Sequence, residues 1–275
     1  MRYANIEVDG KLSAAEVRGE AVALLQDVAA IGAGLDLDAL ARAPRGAELP
    51  LSQVTLRAPV LAPGKVICLG LNFRGHVEET AREIPGYPVL FTKFADAIIG
   101  PEDEIVAPPE SRAIDYEAEM AVVIGRPIRR VAPERALDAV AGFTIANDIT
   151  MRDYQNLSHQ WLQGKAWPRS TPIGPWLVTG DEIGDGAALE IRLELNGSEL
   201  QHSNTRLLIF DVPKTISILS EFVNLMPGDL ILMGTPAGVG FRRDPQVLLK
   251  PGDRVTVTIE GIGALSNTVV AEDAG

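Results

Sequence analysis

From residue 65 onward the apolar residues of this chain come in short runs, and glycine, proline or an Asn-Asp or Asn-Gly pair closes nearly every one. The runs are KVICLGL, PVLFTKF, AEMAVVIG, AVAGFTIAND, GPWLVTG, LEIRLELNG, DLILMG and RVTVTIEG. Segments this short, rich in branched residues and bounded by turn formers, fit strands. Two of them open on a PGD turn, Pro227-Gly228-Asp229 and Pro251-Gly252-Asp253, a sequence that presets a tight reversal. Only DVPKTISILSEFVNL reads as a full helix, with Asp211 as N-cap and Pro213 in the first turn. A second helix is expected at PERALDAVAG. Many strands with few helices, and no strand–helix–strand rhythm, predict an α+β, mainly β fold.

The first 60 residues read differently. RYANIEV, then DG, then KL predicts a hairpin turning at Asp-Gly. LSAAEVRGEAVALLQDVAAIGAG has helix-forming composition and ends in glycine, which predicts a helix. The polar stretch LDLDALARAPRGAELPLSQV follows, and RAPVLAPGK reads as a linker at about 57–65. The expected organisation is a small N-terminal domain, 1–60, and a larger unit, 61–275.

Composition narrows the partners. The formal net charge is −12, and no cluster of Lys and Arg is present, which argues against nucleic acid. No apolar run nears the ~20 residues that span a bilayer. MRYANIEVDGKL lacks the layout of a signal peptide, so a cytoplasmic protein acting on a small molecule is the expectation. The single cysteine, Cys68, sits inside KVICLG and reads as a core residue.

One run is at odds with a simple core strand. In IDYEAEMAVVIG (114–125), Asp115, Glu117 and Glu119 alternate into apolar sequence. As a strand, the segment puts Glu117 and Glu119 on one face, roughly 6.6 Å apart. Two buried carboxylates repel unless one takes up a proton or a cation lies between them. Asp148 ends the β-like run AGFTIAND and offers a third carboxylate. An oxygen-only set suits Mg²⁺, Mn²⁺ or Ca²⁺ rather than Zn²⁺. The plainer alternative is an exposed strand face whose glutamates meet water or lysine. Asp115 has the same parity but no role in this reading.

Other residues carry chemistry with a bland alternative beside each. His76 and Glu79 share a face if GLNFRGHVEET is helical, and a carboxylate beside an imidazole makes a general base; by spacing alone a solvated histidine is the more ordinary reading. Lys93 in PVLFTKF and Lys165 in QGKAW are flanked by apolar residues, as snorkelling lysines are. GTPAGVG (234–240) lacks the Gly-Lys-Ser/Thr of a phosphate loop and reads as a tight turn. Arg242 and Arg243 follow it; such a pair is ordinarily a solvated face, and otherwise could reach the far end of a longer or dicarboxylic substrate. His159 and His202 read as surface residues.

Taken together and in order, GLNFRGHVEE, PVLFTKF, IDYEAEMAVVIGR, FTIANDITMRDYQ, QWLQGKAWPRSTPIGPW, LNGSELQHSNT and GDLILMGTPAGVG resemble the fumarylacetoacetate hydrolase family over roughly residues 60–270. The resemblance implies mixed, curved β-sheets around the site, a homodimer, and a 2-oxo acid or 1,3-dicarbonyl substrate. It implies Mg²⁺ or Mn²⁺ held by Glu117, Glu119 and Asp148, and a catalytic dyad of His76 and Glu79. It implies a lid over 76–88, with Lys165 near the metal, Lys93 assisting, Gln155 contacting substrate and Thr235 donating to the substrate carboxylate. Because both members of the dyad are present, hydrolysis of a C–C bond in an acylpyruvate-type substrate is the favoured activity. An oxaloacetate-type decarboxylase or a hydroxydiene-dioate isomerase is the nearest alternative. A non-catalytic metal or oxo-acid binding protein is the alternative from another class.

Overall fold

The computed structural model describes residues 1–273. One large sheet dominates. Ten of its strands form a continuous path: Arg45–Pro50, Ala21–Leu25, Lys11–Arg18, Arg2–Val8, Thr171–Val178, Val140–Asn147, Ala118–Ile124, Leu230–Leu232, Val66–Gly70 and Val89–Lys93. A second sheet of five strands, Ser198–Asn204, Glu190–Leu195, Arg254–Ile259, Gly263–Ala271 and Ile105–Ala107, packs against it.

Strand Ala118–Ile124 shows how the two sheets share a core. All seven residues are buried. Met120, Val122 and Ile124 face Ile191, Leu193, Val257 and Leu265 of the second sheet, with Ile216 and Leu219 of helix Val212–Phe222 in the same cluster. Ala121 and Val123 face the other way, toward Leu230, Leu232, Val66 and Cys68. A strand buried on both faces carries no polar alternation of its own, so Glu119 in its midst is exceptional.

The turn chemistry matches expectation where it is local. Each PGD turn closes on a hydrogen bond, Asp229 N–H to Met226 O at 3.0 Å and Asp253 N–H to Lys250 O at 3.0 Å. Asp211 caps its helix by accepting from Lys214 N at 2.9 Å. PERALDAVAG yields less helix than expected: one turn, Pro133–Ala136, and a 3₁₀ turn, Leu137–Ala139, before the strand begins.

The expected helix within 12–34 is instead a hairpin. Arg2–Val8 pairs with Lys11–Arg18 through Asp9-Gly10, and Lys11–Arg18 pairs with Ala21–Leu25 through Gly19-Glu20. The helical propensity of Ala, Leu and Glu is worth only tenths of a kcal/mol per residue. Strand pairing buries Ala15, Val17 and Val22 against Ala4, Ile6 and Leu56, and Ala14 with Tyr3 and Leu25 on the opposite face, and this outweighs it. Nor is 57–65 a free tether, because Ala58 and Val60 are buried and Leu61 N–H bonds Ile31 O at 2.9 Å. The sheet itself passes from the first 60 residues to the rest where Arg2–Val8 meets Thr171–Val178.

Candidate active site

The acidic run reaches the centre of the molecule as two strands, not one. Ile114–Asp115 pairs with Thr150–Met151, while Ala118–Ile124 lies in the large sheet. Tyr116 and Glu117 form the break. There the backbone of Glu117 is tied to the end of strand Val140–Asn147: its N–H donates to Asn147 Oδ1 at 3.0 Å, and its C=O accepts from Asp148 N at 2.9 Å. The break therefore sets Glu117 beside Asp148 rather than leaving it in register with Glu119. One carboxylate oxygen from each of Glu117, Glu119 and Asp148 lies within 4.8 Å of the others, and all three residues are buried.

Three buried cations partly neutralise this cluster. Lys165 Nζ reaches Glu117 Oε2 at 2.8 Å and Asp148 Oδ2 at 2.7 Å. Lys93 Nζ reaches Asp148 Oδ1 at 2.6 Å. Arg152 spans Glu117 Oε1 at 2.6 Å and Asp115 Oδ2 at 2.8 Å. Burial opposes ionisation of Glu117, but the charges of Lys165 and Arg152 outweigh it and hold the carboxyl below its ordinary range. Glu119 differs. Among the described residues no cationic side chain pairs with it, and it accepts one hydrogen bond, from Gly234 N at 2.7 Å. Burial and the neighbouring Asp148 and Glu117 push its carboxyl well above the ordinary range. Four carboxylates face three cations, and the unneutralised one completes an all-oxygen triad. A small divalent cation fits that charge and that donor set.

A small cavity of about 70 Å³, partly open to solvent, lies over the cluster. His76, Glu117, Arg152, Gln155, Lys165 and Thr235 line it. His76 stands on the short helix Arg74–Glu79. Its Nδ1 lies 3.2 Å from Glu79 Oε2, which leaves Nε2 for the cavity. Lys165 is placed by a close approach: a Cβ on Gly164 would lie 2.6 Å from Gln155 Cα, so only glycine lets the turn Leu162–Lys165 press onto Arg152–Gln155.

The Gly-rich loop acts through its backbone. Gly234 N–H donates to Glu119, Gly238 N–H to Glu79 Oε1 at 2.9 Å, and Gly240 and Phe241 N–H to the two oxygens of Asp115 at 2.8 and 3.1 Å. Four amides of one loop thus hold three carboxylates, each belonging to a different part of the site. A Cβ on Gly240 would fall 2.7 Å from Asp115 Oδ1 and 1.9 Å from Val247 O. Thr235 Oγ accepts from Gln201 Nε2 at 2.9 Å, so its own hydrogen remains for the cavity.

Each residue singled out from sequence now has a position. His76, Gln155, Lys165, Thr235 and Arg242 line the cavity with Glu117. Lys93 does not; it is buried behind Asp148 and also donates to Ile149 O at 3.1 Å. Arg243 donates to Gly238 O and Leu200 O instead of facing the cavity. His159 and His202 are exposed. The sequence reading missed Arg152 and Gln201, although both lie inside the motifs ITMRDYQ and LNGSELQHSNT. The signal for Arg152 was its i, i+3 spacing to Gln155, which its Nη1 contacts at 3.0 Å. It also gives Asp115 a role, as the buried partner of Arg152 and the anchor of the loop.

A family model described as fumarylacetoacetate hydrolase C-terminal matches residues 65–270. The mitochondrial oxaloacetate tautomerase of Rattus norvegicus is 46% identical over 235 residues, covering 84% of this chain and 75% of its own length. Among solved structures, a 2-hydroxyhepta-2,4-diene-1,7-dioate isomerase from Mycobacterium marinum superposes with a TM-score of 0.83 at 35% identity, covering 99% of each chain. A fumarylacetoacetate hydrolase from Exiguobacterium antarcticum does so with a TM-score of 0.84 at 35% identity, covering 99% of this chain and 100% of its own. Fold and site define a member of an enzyme family whose scaffold rolls mixed sheets around a buried acidic triad. This chain belongs to the fumarylacetoacetate hydrolase family. The expected cytoplasmic location does not stand, because the similar relatives from rat, human and Xenopus laevis are all mitochondrial proteins.

Proposed function

We propose that this chain is a divalent-metal-dependent enzyme that moves a proton between carbon and oxygen in a 2-oxo acid, a keto–enol tautomerase or isomerase. One observation carries the reading: a single cavity joins the acidic triad, through Glu117, to a histidine held by a glutamate. The 46% identity to an oxaloacetate tautomerase and the 35% identity to a diene-dioate isomerase favour proton transfer over the acylpyruvate hydrolysis expected from sequence.

Glu117, Glu119 and Asp148 would hold Mg²⁺ or Mn²⁺, which supplies Lewis-acid polarisation of the 2-oxo carbonyl. His76 is the base. With Nδ1–H donated to Glu79, its Nε2 is free to accept a proton from the carbon beside the oxo group. Glu79 holds that tautomer and is itself fixed by Gly238 N–H. The proton is returned at oxygen, so the reaction needs no co-reactant. Lys165 spends two of its three donors on Glu117 and Asp148; the third is available to the oxygen where negative charge develops. Thr235 and Gln155 bind the carboxylate end.

Hydrolysis is the second reading, favoured by the solved hydrolase of the same fold; there His76 would deprotonate water instead. Purified protein with Mg²⁺ is assayed for loss of enol absorbance with oxaloacetate and for cleavage of acylpyruvates. Enol loss with neither acylpyruvate cleavage nor release of pyruvate from oxaloacetate supports the tautomerase. Cleavage at the faster rate replaces it with the hydrolase. Turnover of neither, with Mn²⁺ and oxalate still bound, makes the protein a binder.

A further inference from the structure

Four cationic side chains line one cavity of a chain whose net charge is −12: Arg82, Arg152, Lys165 and Arg242. They fall into two kinds. Arg152 and Lys165 are buried, and each is spent on two carboxylates. Arg82 and Arg242 are exposed at the mouth, and among the described residues neither pairs with a carboxylate. Instead each lies against an aromatic ring of the same wall, Arg82 5.8 Å from the Trp161 centroid and Arg242 5.9 Å from that of Phe241. A guanidinium on a ring keeps its in-plane donors available while the stack limits its freedom.

Their supports differ in a useful way. Arg82 follows the helix that carries His76. Ala81 takes φ +52°, and the chain closes on Ala81 N–H to Glu78 O and Arg82 N–H to Val77 O, at 3.0 and 3.1 Å. That is a Schellman closure built on a residue with a Cβ, where the left-handed conformation is sterically unfavourable. Arg242 follows Gly240 and Phe241, whose amides are pinned to Asp115. Two free cations therefore reach one mouth from independent segments, each on a backbone fixed by hydrogen bonds.

We infer that Arg82 and Arg242 bind the distal carboxylate of the substrate, so that the site selects dicarboxylic 2-oxo acids over monocarboxylic ones of the same length. The inference rests on the reading of the cavity as a 2-oxo acid site. The inner cations balance the protein's own acids, and the outer two are left for an anion that the protein does not supply. An anion bridging them would also tie the segment after His76 to the loop that holds Glu79.

The test is binding to the Mg²⁺-loaded protein, by calorimetry, of compounds matched in length: 2-oxoglutarate against 2-oxopentanoate, and oxaloacetate against 2-oxobutanoate. Oxalate reports the inner end alone. Wild type should bind the dicarboxylate of each pair more tightly. Arg82→Gln and Arg242→Gln should each weaken dicarboxylate binding about tenfold, with less than about a twofold change for oxalate and the monocarboxylates. Arg82→Lys should retain part of the preference. Thermal unfolding of both variants should match wild type, since the replaced groups are exposed and unpaired. Equal effects on both members of a pair, or none on either, overturn the inference and leave the 2-oxo acid reading standing. A wild type that binds no 2-oxo acid and no oxalate overturns both.

Discussion

Two histidine–glutamate contacts in this molecule differ in everything but the pairing. His202 Nε2 lies 2.9 Å from Glu190, with Glu199 3.3 Å from its other nitrogen. His76 Nδ1 lies 3.2 Å from Glu79. By distance the first pair is the better one. Yet its side chains are 44% and 41% exposed, against 10% and 20% for His76 and Glu79. Exposed ion pairs contribute little, because solvent screens them and both side chains are free to leave. The buried pair faces a cavity, its glutamate is fixed by a backbone amide, and an acidic triad lies across from it. What makes a histidine a base is its surroundings, not its nearest carboxylate.

That contrast can be broken at several points, beginning with the largest effect. Glu119→Ala should abolish Mn²⁺ binding in titrations and reduce turnover below detection, since Glu119 is the triad member without a cation of its own; retained binding would sink the ligand assignment. His76→Asn should lower kcat by about 10²- to 10⁴-fold, the usual contribution of a positioned base, with Mn²⁺ affinity unchanged; near-wild-type kcat would remove His76 from the mechanism. Asp115→Asn leaves Arg152 underpaired and loosens the loop, so unfolding in urea should show a loss of about 3 kcal/mol, as when one member of a buried pair is removed. A stable variant would mean the loop is held elsewhere. At the small end, His202→Ala should leave turnover unchanged and shift stability by less than about 0.5 kcal/mol, as surface substitutions do. A large kcat loss there would erase the distinction drawn between the two pairs.

Much of this is legible in the sequence itself. The short runs closed by glycine and proline became strands, both PGD turns formed where written, and Asp211 capped its helix, because each depends on neighbours a few residues away. The run 12–25 went the other way. Its composition favours helix, but pairing with Arg2–Val8 decided it, and no local signal announces a partner strand. The alternation of Glu117 and Glu119 suggested a cation but left an exposed strand face open, and it was the family resemblance that named the acidic triad. The triad was not readable as geometry: a continuous strand would keep the two glutamates in register, whereas the break at Tyr116-Glu117 turns Glu117 to Asp148. Arg152 stayed hidden in its motif because a buried arginine between carboxylates looks, in sequence, like any surface arginine.

The sequence alone determined the class of fold and the donor chemistry, because strand length, turn type and carboxylate hardness are properties of the residues themselves. Tertiary structure decided which charges are spent and which are free. Lys93, Lys165 and Arg152 were taken up by three carboxylates, Asp115, Glu117 and Asp148, Arg243 by two backbone carbonyls, and Arg82 and Arg242 were left facing the mouth. In a linear sequence these are six similar cations. Pairing is a matter of distance and burial, and both are set only when the sheets close around the site.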